Sequence, residues 1–254
     1  MRGYQIPEAS RQAKGTAIIN LLQLSPGERI TAVINTMEFT EGQYLFMATN
    51  KGTVKRTKLT EFASVRKNGL RAIVLNDNEE LISVKLTHGN SNILMATRGG
   101  MAIHFSEQDV RVMGRVAHGV RGINLNVQDA VVAMDAIYDL ESEVLTVTEN
   151  GSGKRTKLSE YTKQIRGGKG RINYKLTEKT GLVAGMTIVK PNDELYIITA
   201  SGIIIRTNVD ELSTISRNTQ GVKAISLNEG DVVTAIATVE AEENVVKDTE
   251  TVSE

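Results

Sequence analysis

Four short apolar runs, each ended by a turn that contains glycine, recur along the chain. They occupy residues 44–48, 93–96, 144–147 and 195–198. Runs of four or five residues that are rich in long and β-branched side chains indicate buried strands rather than helices. The turns after them are short enough to join antiparallel neighbours. The pattern therefore predicts four buried strands, each followed by a returning strand.

The returning strands and a second glycine complete each unit. Residues 54–57, Val-Lys-Arg-Thr, alternate in polarity, which predicts that the returning strand points its charges outward. A second glycine then precedes a third predicted strand, and a fourth apolar run ends the unit. The second glycines are Gly69, Gly119, Gly170 and Gly221. Each unit thus predicts four strands, the number in one blade of a propeller.

The spacing of the turn glycines defines a repeat. Gly52, Gly100, Gly151 and Gly202 lie 48, 51 and 51 residues apart. A period of this length favours a single quasi-symmetric, all-β propeller-type body. The units cover approximately residues 44–90, 92–140, 143–190 and 194–240. Residues 1–39 form a partial first unit, with strands predicted at 16–19 and 30–34. Its opening strand is expected ahead of residue 4, so we expect the chain to come from a longer protein.

Composition and charge narrow the class of protein. No apolar run approaches the roughly 18 residues of a membrane span. The first residues lack the apolar region of a signal peptide, so we expect no secretion. The absence of cysteine excludes disulfides and thiolate metal sites, and we expect a cytoplasmic protein. Lys plus Arg and Asp plus Glu number 30 each, but residues 240–254 hold six acids and one base. Residues 241–254 are therefore predicted to be a disordered acidic tail on a basic body of residues 1–240.

Basic residues occupy repeated places in the units. One stands four residues past each turn glycine: Arg56, His104, Arg155 and Arg206. Others cluster around the second glycines, where flexible backbone amides and cations together suit phosphate oxygens. A single loop of this kind is most simply a solvated surface, but five loops in one register favour binding to double-stranded DNA without base reading.

The most distinctive loop is Gln164-Ile165-Arg166-Gly167-Gly168-Lys169-Gly170. It resembles the heptapeptide box, Gln-x-Arg-Gly-Gly-Lys-Gly, of the C-terminal domain of the DNA gyrase A subunit. Residues 4–9, 19–22, 153–156, 159–161 and 217–222 are also similar to that family, and the resemblance covers residues 4 to about 240. The box departs from the family because it lies in the fourth visible unit instead of the first blade. We therefore expect the first blade and half of the second to be missing from this chain.

The resemblance implies a six-bladed β-pinwheel, of which about five blades are present here, and in which neighbouring blades exchange strands. It implies that the domain wraps DNA around its rim and so serves negative supercoiling by a type II topoisomerase. The cleavage domain of the A subunit, the whole B subunit, ATP and Mg belong to the rest of that enzyme. We expect a bacterial, nucleoid-associated protein whose isolated domain is monomeric. The predicted DNA-binding residues are Arg11, Lys14, Lys55, Arg56, Arg66, Lys67, Arg71, Arg115, His118, Arg121, Lys154, Arg155, Gln164, Arg166, Gly167, Gly168, Lys169, Gly170, Arg171, Arg206, Arg217 and Lys223.

Other chemistry finds little support in the sequence. Residues 150–155 lack the upstream glycine and the Ser or Thr of a phosphate-binding loop, and the three histidines lack metal-ligand spacing. The repeated acids Glu61, Asp109, Glu160 and Glu211 indicate a structural turn. No tyrosine resembles the cleavage site of a topoisomerase, so we expect no catalysis and no cofactor in this chain. The alternatives are the matching domain of topoisomerase IV and a protein-interaction propeller.

Overall fold

The computed structural model describes residues 6–10, 12–17, 20–22, 24, 27–64 and 69–240 of the 254-residue chain. Within these residues the chain forms fifteen strands and four short 3-10 turns. The strands are β1 Tyr44–Thr49, β2 Thr53–Lys58, β3 Leu81–Thr87, β4 Asn92–Thr97, β5 Met101–Ser106, β6 Val120–Arg121, β7 Val131–Ile137, β8 Glu143–Thr148, β9 Ser152–Lys157, β10 Arg171–Ile172, β11 Val183–Val189, β12 Glu194–Thr199, β13 Ile204–Asn208, β14 Val222–Lys223 and β15 Val233–Val239. All pairings between these strands are antiparallel. The prediction of an all-β fold is confirmed.

The strands form four sheets that exchange strands with their neighbours. Sheet 1 has the order β3-β1-β2-β6, sheet 2 β7-β4-β5-β10, sheet 3 β11-β8-β9-β14 and sheet 4 β15-β12-β13. In sheets 1 to 3 the fourth strand is two residues long and comes from the next repeat unit, as β6 does when it pairs with β2. The prediction that each unit's own four strands form one blade was therefore wrong, and the strand exchange that the resemblance implied is confirmed.

The second glycine makes this exchange possible. Gly119, Gly170 and Gly221 adopt φ values of 112°, 76° and 72°, a region that favours glycine. A Cβ on them would lie 2.7 Å from the Val54 carbonyl oxygen, 2.4 Å from that of Ala102 and 2.6 Å from that of Gly153. The exchanged strand therefore starts against the backbone of the preceding unit, at a place where only glycine fits.

The core lies between consecutive sheets. Phe46 of sheet 1 packs with Ile93 and Phe105 of sheet 2, Leu94 of sheet 2 with Val144 of sheet 3, and Leu145 of sheet 3 with Leu195 of sheet 4. Strands β3, β7, β11 and β15 contact one another in succession. They lie on the inner side of the ring of sheets, and the exchanged strands lie at its outer edge.

In the described residues, some strands that the repeat predicts are absent, and the outer edge of sheet 4 has no exchanged strand. The predicted strand at 30–34 is absent, and so is any strand at Thr16–Ala17, the part of 16–19 that the structure describes. Residues 71–75, where the third strand was expected after Gly69, also form no strand. Strand β13 has no fourth strand beside it within the described residues, and Ile204 is 63% exposed. The predicted tail, 241–254, lies outside those residues.

Candidate nucleic-acid interface

The outer edge of the ring carries one exposed cation on each exchanged strand. We define the rim as β6, β10 and β14 together with the loops that precede them, residues 111–119, 162–170 and 213–221. Arg121, Arg171 and Lys223 lie on the three exchanged strands, and all three are exposed. Lys14, Arg71, His118 and Lys169 are exposed as well. Arg11, Arg66 and Lys67 lie outside the described residues.

The box loop is tied to the preceding units by main-chain hydrogen bonds. The Gln164 amide donates to the His104 carbonyl at 2.7 Å, and the Gly167 amide donates to the Gly122 carbonyl at 2.6 Å. In return, the Asn124 amide donates to the Gly168 carbonyl at 2.8 Å. Gly167 has a φ of 81°, which allows this close path. The box glycines therefore connect neighbouring rim segments, a role for which the sequence offered no signal.

Arg166 is part of the same connection. Its Nε donates to the Asp109 carbonyl at 2.7 Å and its Nη1 donates to the Arg121 carbonyl at 2.8 Å. The side chain is half-buried, whereas Lys169 is exposed and makes no hydrogen bond or ion pair within the described residues. The two basic residues of the box therefore differ, because Arg166 is engaged by the protein and Lys169 faces solvent.

Arg217 repeats the arrangement of Arg166 one unit later. Its Nη1 donates to the Ile172 carbonyl, and Ile172 stands two residues past its second glycine as Arg121 does. The Arg217 amide also donates to Glu160 Oε2 at 2.9 Å. Together the two arginines join the three exchanged strands into a continuous rim. Half-buried Arg115 occupies the same position one unit earlier.

Lys55 and Lys154, predicted to face outward, are completely buried. Lys55 Nζ donates to the carbonyls of Ala72 at 2.7 Å and Arg115 at 2.6 Å. Strands β2 and β9 are each flanked in their sheet by an exchanged strand and covered on their faces, so alternation on them does not mean exposure. The expectation that these two lysines contact DNA was wrong, because both side chains are buried and both ammonium groups donate to main-chain carbonyls.

The loop of residues 213–221 surrounds Lys154 Nζ. This loop belongs to residues 194–240, which we call unit 5 because residues 1–39 are the partial first unit. Lys154 Nζ donates to the Ser216 carbonyl at 2.9 Å, to the Arg217 carbonyl and to Thr219 Oγ1 at 3.2 Å. It lies 4.9 Å from the centre of the Tyr174 ring, and the Tyr174 hydroxyl donates to the Gln220 carbonyl. Burial lowers the pKa of Lys154, as it does that of Lys55, to about 8.

The basic residues four places past the turn glycines are held by other side chains. Arg155 Nη1 lies 3.0 Å from Glu143 and 2.6 Å from Asp210, which belongs to the 3-10 turn after β13 in the next unit. Arg56 Nη1 lies 3.7 Å from the buried Glu107, and Arg206 pairs with Glu194. These repeated cations stabilise the sheets and their contacts, so the expectation of a shared free basic surface was wrong for Arg56 and Arg155. Arg206 remains exposed beside its partner.

His104 occupies the same position in its unit, four residues past the turn glycine, but its side chain is buried. Its Nδ1 lies 2.6 Å from the Tyr161 carbonyl oxygen, and burial lowers the pKa of the imidazole. The repeated acids lie in the 3-10 turns that follow the second strands, as Glu211 does in a capping box with Asn208.

Among the described residues, no cluster of His, Asp or Glu could hold a metal ion. None of the helices in the described part of the chain is long and apolar enough to span a membrane.

The geometry defines a class of protein: a strand-exchanged propeller whose outer edge carries exposed Arg and Lys. The family described as "DNA gyrase C-terminal domain, beta-propeller" matches residues 1–37, 43–88, 91–137, 142–190 and 193–240. The chain belongs to this family. Its five matched segments correspond to the five repeat units read from the glycine spacing.

Curated relatives agree with this assignment. The DNA gyrase A subunit of Clostridium acetobutylicum is 48% identical over all of this chain and 31% of its own length. The DNA gyrase A subunit of Haloquadratum walsbyi is 46% identical over 94% of this chain and 28% of its own length. The chain therefore spans less than a third of these relatives.

Solved structures show the same fold. The C-terminal domain of a DNA topoisomerase IV superposes with a TM-score of 0.88 at 26% identity, covering 94% of this chain and 75% of that one. A DNA gyrase A C-terminal domain gives 0.80 at 27% identity, covering 89% and 76%. The fold is thus shared by both kinds of type II topoisomerase.

Proposed function

We propose that this domain binds double-stranded DNA along its rim without sequence preference and bends it around the ring of sheets. The observation that carries the proposal is the placement of Arg121, Arg171 and Lys223. These cations stand on three successive exchanged strands, and all three are exposed. Arg121 and Lys223 lie two residues past their second glycines, and Arg171 lies one residue past its own. Flexible cations on an outer edge suit phosphate contacts, which give affinity without reading bases.

The number of repeats matches the energetic demand of wrapping. Bending 20–30 bp by 40–90° costs on the order of 1–6 kcal/mol, and a longer wrap costs roughly two to four times as much. A typical non-specific site supplies only about 5–8 kcal/mol at physiological salt. One basic loop cannot hold a bend, whereas a rim of several loops gathers enough phosphate contacts.

We further propose that the domain serves negative supercoiling as part of the DNA gyrase A subunit in the cytoplasm. Its partners would be the cleavage domain of that same polypeptide together with the B subunit, and ATP and Mg would act in those other parts. Identities of 43–48% to gyrase A subunits over nearly the whole chain favour gyrase. The higher TM-score with the topoisomerase IV domain supports that enzyme as a second candidate.

DNA binding as a function of salt and length tests the proposal. Counterion release gives a slope of about −0.9 per phosphate contact, so several engaged loops predict a slope of about −5 or steeper in a plot of log K against log salt. Affinity should also rise with duplex length until the rim is filled. Tight binding to one sequence over scrambled DNA of equal length would contradict the proposal.

A further inference from the structure

Two buried lysines sit beneath rim loops in alternate sheets. The third residue past the turn glycine is Lys55 in sheet 1 and Lys154 in sheet 3, but Ile103 in sheet 2 and Ile205 in sheet 4. Both lysine side chains are fully buried. A buried ammonium is costly unless its donors are satisfied, so its partners indicate what the residue does.

The partners are main-chain carbonyls of the following unit's basic loop. Lys154 reaches Ser216, Arg217 and Thr219, which lie 62 to 65 residues further along the chain. Lys55 reaches Arg115, 60 residues further along, and Ala72 of its own unit. Several carbonyls that converge on one cation fix the orientation of their peptide planes, and hence the course of the loop.

These loops carry the arginines of the rim. Arg217 lies inside the segment that Lys154 holds, and the carbonyl of Arg115 itself accepts the hydrogen bond from Lys55. The loop before β14 leads directly into exposed Lys223. Beside it, Arg171, Ile172, Arg217 and Asn218 line an open groove between β10 and this loop. Movement of the loop would therefore displace the cations that face this groove.

We propose that Lys55 and Lys154 are positioning residues for DNA binding: each buried ammonium holds the next unit's basic loop in the shape that presents its cations to phosphates. This inference rests on the proposed function. A lysine that acts only as a structural brace would affect the fold and not the affinity for DNA.

The test compares Lys154→Met with Lys157→Met in the full chain. Both variants lose one positive charge on β9, but Lys157 is exposed, and within the described residues its side chain makes no hydrogen bond or ion pair with a rim loop. Amide hydrogen exchange of residues 216–220 reports the loop, and fluorescence anisotropy with a labelled random-sequence duplex reports binding. We expect Lys154→Met to exchange about tenfold faster in this loop and to bind DNA about five- to tenfold more weakly. Lys157→Met should change either value by about twofold at most.

The outcomes separate this inference from the proposed function. Faster exchange with unchanged affinity would overturn the positioning role and leave DNA binding intact. Unchanged exchange would show that the loop needs no ammonium, which also overturns it. A wild-type chain that does not bind DNA would overturn both. If Lys154→Met does not fold, Lys55→Met, which loses only two hydrogen bonds, is measured in the same way at residues 114–119.

Discussion

The box loop of unit 4 (residues 143–190) and the corresponding loop of unit 5 (residues 194–240) lie at equivalent places on the rim. Different contacts hold the two loops there. In unit 5 the ammonium of Lys154, buried under the loop, donates hydrogen bonds to carbonyl oxygens of the loop. In unit 4 the residue beneath is Ile103, which offers no donor. There, the amide of Gly167 donates to the preceding rim segment instead. The guanidinium contact of Arg166 with that segment has its counterpart in unit 5, where Arg217 makes it.

The comparison assigns a physical role to the glycines of the box. With an apolar residue beneath, the loop needs main-chain hydrogen bonds to its neighbour, and Gly167 follows that path with a φ of 81°. The unit-5 loop, Ser216-Arg217-Asn218-Thr219-Gln220, has no glycine before Gly221 because the lysine already satisfies its carbonyls. A glycine-rich sequence and a buried charge are thus two solutions for holding one loop.

The largest effect is expected at Gly170. Gly170→Ala places a Cβ 2.4 Å from the Ala102 carbonyl oxygen at a φ of 76°, and should lower the free energy of unfolding by about 2–4 kcal/mol. The matched control is Gly168→Ala, since Gly168 is exposed and its nearest neighbour is 3.8 Å away. Urea unfolding of both variants measures the difference. Equal stabilities would mean that the glycine does not start the exchanged strand.

Next in size is the separation of Arg166 from Lys169. Arg166→Ala removes two hydrogen bonds to carbonyls and should cost about 1–2 kcal/mol of stability as well as weaken DNA binding. Lys169→Ala should leave stability within about 0.5 kcal/mol and reduce the salt slope of binding by about 1. Loss of stability in Lys169→Ala, or none in Arg166→Ala, would reverse the roles assigned to the two side chains.

A smaller effect concerns pH. The pKa of Lys154 is about 8 in the folded chain against an ordinary value of 10.5, chiefly because of burial. Between these values the unfolded chain binds a proton that the folded chain does not, so stability rises with pH. Wild-type stability relative to Lys154→Met should therefore increase from pH 8 to pH 10.5. A difference that stays flat or falls over this range would contradict the depressed pKa.

The smallest effect is expected from the predicted tail. Residues 240–254 carry a net charge of −5, from six acids and one base, and the rest of the chain carries +5. A tethered acidic segment competes with DNA at an effective concentration of about a millimolar. Deleting residues 241–254 should tighten DNA binding severalfold at low salt and much less at high salt. Equal affinities across a salt titration would show that the tail does not compete.

The sequence predicts a contact when the two residues or strands are close along the chain, and it misses contacts between distant segments. The turn glycines predicted β1 and β2 because a hairpin pairs neighbours along the chain. The pairing of β6 with β2 spans more than 60 residues, and nothing local indicated it. At the site, Lys169 and Arg171 were predicted to bind DNA, and the structure places both at the surface. Lys55 and Lys154 look identical to surface lysines in sequence, because their burial depends on a loop from the next unit.

The central claim is that the cations on the exchanged strands hold DNA on the rim. A relaxed closed plasmid, bound by the domain, treated with a type I topoisomerase and then deproteinised, records any wrap as a change in linking number. We predict a change with the wild-type chain and its near loss when Arg121, Arg171 and Lys223 are all replaced by Ala. The salt slope should fall by about 3 at the same time, since about 0.9 is lost per contact. An unchanged linking-number shift in a folded triple variant would contradict the account.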